Sequence, residues 1–263
     1  MASKKGPKVL FIDIETKPLL VFAWGIGEQY IAANQIASDR CLLSWSAKWA
    51  GDPDSKIMYA DSRGKKNVED DKHLLEGIWK LLNEAEVVVG QNSKRFDIKV
   101  LNSRFIENNM DPPSGYEQED TLQMARKKFG FVSNSLDYLT DKLCKKHKKS
   151  KHKKFFGMSL WLACMAGNQE AWKEMESYNK KDVLCTEELY GRLAPWSGTS
   201  TNYSLYFNGE DTICSCGNNK FKKNGFKYTK TGQFQRYACT KCGHEVRDRQ
   251  SLLSKEKKAS LKV

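Results

Sequence analysis

Residues 8–16, KVLFIDIET, constrain this chain more than any other segment. The apolar run 9–12 reads as a buried strand, and it leads directly into Asp-x-Glu. Side chains two apart on a strand project from the same face. Asp13 and Glu15 can therefore reach one metal cluster from the end of a strand whose other residues belong to a core.

Downstream, CLLSWSAKWA and KIMYADS read as a second and a third strand. EDDKHLLEGIWKLLNEA is amphipathic, with Leu74, Leu75, Ile78, Trp79, Leu81 and Leu82 on one helical stripe. The β-branched run 87–89 predicts another strand, ending at Gly90. A helix over residues 94–108 carries Phe96, Val100, Leu101 and Phe105 on one side, and Pro112-Pro113 closes it off. Asp120 opens a helix that Gly130 ends. It reads as a strand end or helix cap, with a catalytic role as the alternative. Residues 133–149 predict a helix capped by Ser133 or Ser135. Residues 158–196 are helical twice over, with a break at Gly167-Asn168 and an end at Pro195.

Strands followed by alternating helices predict an α/β domain over residues 1–197. The polar stretch 198–208 reads as a linker, and residues 251–263 as a basic flexible tail.

Two more carboxylates complete a pattern. Asp97 falls at a helix start, just after the Gly90-Gln91-Asn92 loop. Asp182 lies four residues after Tyr178, and positions i and i+4 share a helix face. Phosphodiester hydrolysis needs a nucleophilic water and an oxyanion leaving group on opposite sides of phosphorus, and two divalent ions about 4 Å apart serve both. Mg²⁺ and Mn²⁺ take oxygen ligands, hence Asp and Glu rather than Cys or His. Crowded carboxylates repel one another unless a cation neutralises them. Each motif alone is a weak signal, equally readable as surface charge. All of them in order, each in a fitting strand or helix, point to a metal cluster.

FIDIET, GQNSKRFD and YNKKD resemble the three motifs of the DEDD superfamily of 3′→5′ exonucleases, over about residues 8–196. The Tyr-x3-Asp spacing is similar to the DEDDy form, found also in DNA polymerase proofreading domains and RNase D-like enzymes. The whole body resembles compact phage- and prokaryote-encoded members that act without an attached polymerase. The resemblance implies an RNase H-like fold, a mixed five-stranded sheet flanked by helices, whose first three strands are antiparallel neighbours.

It further implies two Mg²⁺ or Mn²⁺ ions. Asp13, Glu15 and Asp182 would hold the first with its attacking water, Asp13 would bridge to the second, and Asp97 would support that site. Tyr178 would orient or help deprotonate the water. Thr16 and Asn92 would contact the nucleic acid, and Gln91 stands where many relatives have His. The implied products are nucleoside 5′-monophosphates released from a 3′ end, with DNA favoured over RNA.

The eight cysteines fall into a scattered four, Cys41, Cys144, Cys164 and Cys185, and two tight pairs, Cys214-x-Cys216 and Cys239-x2-Cys242. The scattered four read as small buried residues. In a reducing compartment, paired cysteines favour a metal over disulfides. The residues between the pairs read as a hairpin turning near 229–232. The unit 209–250 is similar to a zinc ribbon, in which two knuckles bring four thiolates to one structural Zn²⁺. His244 is the alternative ligand. A unit of about 45 residues buries too little core to fold without such a staple.

The net charge of +12 is concentrated here, with 13 Lys+Arg against 5 Asp+Glu from Asn208 onward. Basic and aromatic residues interleave in the ribbon, which suits nucleic-acid contact, with protein docking as the alternative. Residues 142–154 hold eight lysines and two histidines. Lys148, Lys149 and Lys151 are candidates for phosphate contact, against a solvated helix end as the plain reading.

The expectation is therefore a metal-dependent 3′→5′ exonuclease acting on nucleic acid, with a structure-specific endonuclease or a non-catalytic nucleic-acid-binding adaptor as alternatives. No apolar run reaches the roughly 20 residues of a membrane span, and the N-terminal segment is not patterned as a signal peptide. A monomer in the cytoplasm, with a replication or repair protein as a further partner, completes the expectation.

Overall fold

The computed structural model describes residues 6–148, 154–199, 201–209 and 211–262. In chain order the body contains β1 (Val9–Thr16), β2 (Leu20–Val21), β3 (Ile36–Ser38), β4 (Leu42–Trp49), β5 (Met58–Asp61), α1 (Lys72–Glu84), β6 (Val87–Gly90), α2 (Asp97–Glu107), β7 (Glu117–Asp120), α3 (Thr121–Lys128), α4 (Leu136–Leu143), α5 (Ser159–Met165) and α6 (Gln169–Ser197). The C-terminal part contains β8 (Phe221–Thr229), β9 (Gly232–Cys239), β10 (Glu245–Arg247) and α7 (Lys255–Ser260).

The main sheet has the order β5-β4-β1-β6-β7. β1 pairs antiparallel with β4, β4 antiparallel with β5, and β6 parallel with both β1 and β7. This is the mixed five-stranded sheet, with β1, β4 and β5 antiparallel neighbours, that the family resemblance implied.

β1 lies at the centre and is covered on both sides. Leu10, Ile12 and Ile14 pack with Leu74, Leu75, Ile78 and Leu82 of α1 and with Ile98, Leu101 and Phe105 of α2. Val9 and Phe11 face the other way, onto Val183, Leu189 and Leu193 of α6 and onto α3 and α4. By the strand's two-residue period, Asp13 and Glu15 continue the α6-facing row.

α6 explains its own seat. Trp172, Met175, Asn179, Asp182, Thr186, Leu189 and Leu193 recur at alternating spacings of three and four, and all are buried. The middle of this apolar stripe is polar, and that middle lies under the carboxylate end of β1.

Several elements differ from the sequence reading. β7, EQED, has no apolar period, so only its parallel ladder to β6 marks it as a strand. α6 runs past Pro195 to Ser197, and the Gly198 N–H closes the last turn on the Ala194 carbonyl at 3.0 Å. Pro195 lacks the N–H that would bond the Gly191 carbonyl, so the helix passes it with one intrahelical bond fewer.

α4 stops at Leu143 rather than continuing to 149, because the N–H groups of Lys145, Lys146 and His147 donate to the Glu188 carboxylate. The tail holds a short helix, α7, capped by the Ser254 hydroxyl accepting from the Lys257 N–H. No helix among the described residues is long and apolar enough to cross a membrane.

Gly90 ends β6 where the chain turns toward Asn92 and Asp97. A Cβ there would lie 2.5 Å from the Ser93 Cβ and 3.3 Å from the Ile12 carbonyl oxygen. Gly90→Ala is expected to lower stability by about 1–3 kcal/mol through overpacking, measured by chemical denaturation. An unchanged midpoint would mean that the turn yields freely.

Candidate active site

The edge of β1 explains how Asp97 enters the site. β1 pairs with β6 only over Val9, Leu10 and Phe11, so beyond Phe11 that edge has no strand partner. The Ile14 N–H instead donates to the Asp97 Oδ1 at 3.1 Å. One carboxylate thus completes the strand edge and joins it to the start of α2.

The loop between β6 and α2 is held by Asp120. Its carboxylate accepts from the N–H groups of Asn92 and Lys94 at 3.0 and 3.2 Å, and caps α3 through Leu122 and Gln123. Asp120 is therefore both a strand end and a helix cap, as its position in the sequence suggested. Asn92 adopts a left-handed backbone, φ 63°, a conformation that asparagine tolerates better than most residues. The Gln91 amide donates to the Asn134 carbonyl at 3.0 Å and accepts from the Thr121 hydroxyl at 2.5 Å.

Asp13, Glu15, Asp97, Tyr178 and Asp182 all line one open cleft of about 590 Å³, together with Asn92 and Arg126. The structure thus gathers all five residues that the motifs singled out. Asp97 is held by the Ile14 N–H, and Asp13 and Glu15 have side-chain partners of their own. The Asn179 amide donates to the Asp13 Oδ2 at 2.5 Å and to the Asp13 carbonyl at 3.1 Å, while the Ser44 hydroxyl bonds the Asn179 Oδ1 at 3.2 Å. The Trp161 indole N–H donates to the Glu15 Oε2 at 3.0 Å, and the same ring meets Tyr178 edge-on, with centroids 6.2 Å apart.

Asn179 and Trp161 escaped the sequence reading. The signal for Asn179 was its place on the apolar stripe of α6. Nothing comparable marked Trp161, which α5 brings over Glu15.

Burial pushes the Asp97 carboxyl up to about 7 from its ordinary 3.8, and the nearby Asp120 carboxylate adds to the rise. The donors of the cleft are carboxylate oxygens, the set that a hard divalent cation prefers. An ion would also relieve the cost of ionising Asp97 in a buried position. On both counts these residues fit a divalent metal.

The remaining substrate candidates are dispersed. Thr16 ends β1 beyond a register shift and is not among the residues lining the cleft. Lys148 is exposed and its ammonium pairs with Asp141 at 3.1 Å, again outside the cleft lining. Its neighbours Lys146 and His147 pair with Asp54. Lys149 and Lys151 lie outside the described residues. Arg126, exposed on α3, is a cleft cation that the sequence reading did not single out.

Among the described residues, Cys214, Cys216, Cys239 and Cys242 form the group whose potential ligand atoms all lie within 4.8 Å of one another. The single-residue spacing of the first knuckle is accommodated by Gly217 at φ 80°, whose N–H reaches the Cys214 carbonyl at 2.8 Å. Burial opposes ionisation of Cys239, yet N–H groups of Cys242 and Lys241 and the Asn218 amide hold its thiol down at about 6. His244 does not join the cluster. Its Nδ1 lies 3.2 Å from the Pro195 carbonyl, tying the ribbon to the end of α6.

A family model described as the RNase_H superfamily matches residues 51–194. The match includes Asp97, Tyr178 and Asp182 and begins after β1. No curated protein matches the chain. Among solved structures, the family B DNA polymerase from the hyperthermophilic archaeon Pyrobaculum calidifontis is similar, with TM-score 0.51 and 16% identity. The similarity covers 72% of this chain and 25% of the polymerase, so the chain spans about a quarter of that protein's length.

A carboxyl whose folded pKa is raised binds more protons folded than unfolded. Stability then falls as pH rises from about 4 to about 7 and stays reduced above that. Without metal, Asp97→Asn is expected to melt a few degrees above the native chain at pH 8, with the two converging at pH 4. Added Mg²⁺ should raise the melting point of the native chain at pH 8 more than that of the variant. Identical melting curves at pH 8 would show that Asp97 carries no such penalty.

Proposed function

This chain belongs to the RNase H superfamily, and we propose that it is a metal-dependent 3′→5′ exonuclease of the DEDDy type. The observation that carries the proposal is the convergence of Asp13, Glu15, Asp97, Tyr178 and Asp182, from three separate motifs, on one open cleft. Its substrate would be a nucleic acid with a free 3′ end and its products nucleoside 5′-monophosphates. DNA is favoured over RNA, in keeping with the structurally similar protein being a DNA polymerase.

Asp13, Glu15 and Asp182 would hold one Mg²⁺ or Mn²⁺, and Asp13 with Asp97 a second. The ions would supply an activated water and neutralise charge on the leaving oxygen. The chain's own residues set the geometry. Asn179 fixes the rotamer of Asp13, and the Trp161 N–H fixes that of Glu15. Such supporting hydrogen bonds orient ligands and tune their basicity. The Tyr178 hydroxyl, one helical turn before Asp182, would position the water on the face opposite the leaving group. Asn92 and Arg126 line the same cleft and would contact the substrate.

The four thiolates would hold one structural Zn²⁺. Their chemistry differs from that of the cleft: soft sulfur donors in a closed set of four suit zinc and leave no open position for catalysis.

The test is a time course on 5′-labelled single-stranded DNA and RNA of one sequence, with Mg²⁺, with Mn²⁺ and with chelator. A ladder shortening from the 3′ end, absent with chelator, is expected, faster on DNA. Asp13→Ala and Asp182→Ala should abolish it while preserving the fold, and Tyr178→Phe should slow it by about 10²-fold. Cutting of a closed circle would make the enzyme an endonuclease. An intact substrate that shifts on a native gel would make the chain a binding adaptor. For the ribbon, elemental analysis is expected to give one zinc per chain, lost in Cys239→Ser. Full zinc content in that variant would remove Cys239 from the ligand set.

A further inference from the structure

The ribbon sheet sorts its side chains by face in a way that its sequence does not show. Cross-strand partners share a face. Phe226 pairs with Gln235 and Tyr228 with Gln233, and Lys223 pairs with Tyr237. These residues lie on one face. Lys222 pairs with Ala238 and Lys227 with Phe234, while Arg247 of β10 pairs with Arg236. Those residues lie on the other.

The device is a one-residue bulge between Lys223 and Phe226, where Gly225 adopts φ 69°. Strict alternation along β8 would place Lys222 with Phe226 and Tyr228, and Lys227 on the opposite side. The extra residue switches the phase, so that Lys227 joins Lys222, and Phe226 and Tyr228 move to the other face.

The basic face is set up in advance. The Arg247 guanidinium lies over the Phe234 ring, 4.0 Å from its centroid. The Arg236 Nε–H donates to the Asn224 carbonyl at 2.7 Å. Lys222, Lys227 and Arg247 are exposed. The only carboxylate in the three strands is Glu245, 3.6 Å from Arg236. Arg247 covers the one large ring on this face, which leaves little open apolar surface to anchor a protein partner.

From this sorting we propose that the Lys222, Lys227, Arg236 and Arg247 face is a second nucleic-acid contact, gripping the phosphate backbone without reading sequence and apart from the carboxylate cleft. Four cations on an open surface, two of them held in place and with one acid among them, complement a polyanion. The proposal does not depend on the cleavage chemistry, since it concerns binding by the ribbon alone.

The experiment uses the full chain without added Mg²⁺ or Mn²⁺. Fluorescence anisotropy with a labelled single-stranded DNA follows affinity across a salt series. Lys222→Glu, Lys227→Glu and Arg247→Glu together are expected to weaken binding at least about tenfold and to flatten the log–log salt slope by about 2, as for three lost phosphate contacts. Zinc content and melting temperature should stay unchanged. Lys255→Glu, Lys257→Glu and Lys258→Glu on α7 make the same change in net charge away from this face and should cost less than about threefold.

Equal losses in the two triple variants would overturn the proposal, because charge alone and not the face would then set affinity. Native affinity in the ribbon triple would also overturn it and leave the face to an acidic protein. If that triple loses zinc, Lys222→Gln and Lys227→Gln take its place. Each is expected to weaken binding about twofold to fourfold, and native affinity in both would overturn the proposal.

Discussion

The body depends on a single strand being buried on both faces. β1 needs a helical layer on each side, and its alternation divides its residues between them. The even row from Leu10 to Ile14 belongs to α1 and α2. The odd row begins as core against α6, at Val9 and Phe11, and ends as Asp13 and Glu15 in the cleft. One two-residue period thus makes both the core and the carboxylate pair. A register slip of one residue would exchange both rows and destroy both at once.

α6 answers that arrangement from the other side. Its buried stripe is apolar at both ends and polar at Asn179, Asp182 and Thr186. Burying such groups costs free energy unless they find partners. Asn179 finds Asp13 and Ser44. The polar centre of the helix is therefore tolerated because it meets the polar end of the strand, and each supplies what the other lacks. The raised pKa of Asp97 belongs to the same region: a carboxyl kept in place by a strand-edge N–H and buried by its surroundings.

The C-terminal unit follows a different logic. Its hairpin has few buried residues, and the buried part concentrates near Ala238 and Cys239 and around the four-cysteine cluster. Its joint to the body includes the His244 ring at the Pro195 carbonyl and the Ser204 hydroxyl accepting from the Ile213 N–H at 2.8 Å. The two parts are chemically distinct, a carboxylate cleft in one and a four-cysteine cluster with a basic strand face in the other.

By itself the sequence determined the elements with a clear period and the residues whose type is tied to chemistry. The apolar run into Asp13 and Glu15, the stripe of α1, the Tyr178–Asp182 spacing and the cysteine pairs are all local patterns, legible because strand and helix periods are fixed by backbone geometry. Tertiary structure alone decided what depends on distant partners. β7 is a strand because β6 offers it a ladder, despite the polar sequence EQED. Asn179 and Trp161 became part of the site because α6 and α5 bring them to carboxylates more than a hundred residues away. Lys148 lies outside the cleft lining, with its exposed ammonium paired to Asp141. The two faces of the ribbon were decided by one bulge at Gly225, which changes the phase between paired strands, so which face each residue joins follows from the pairing.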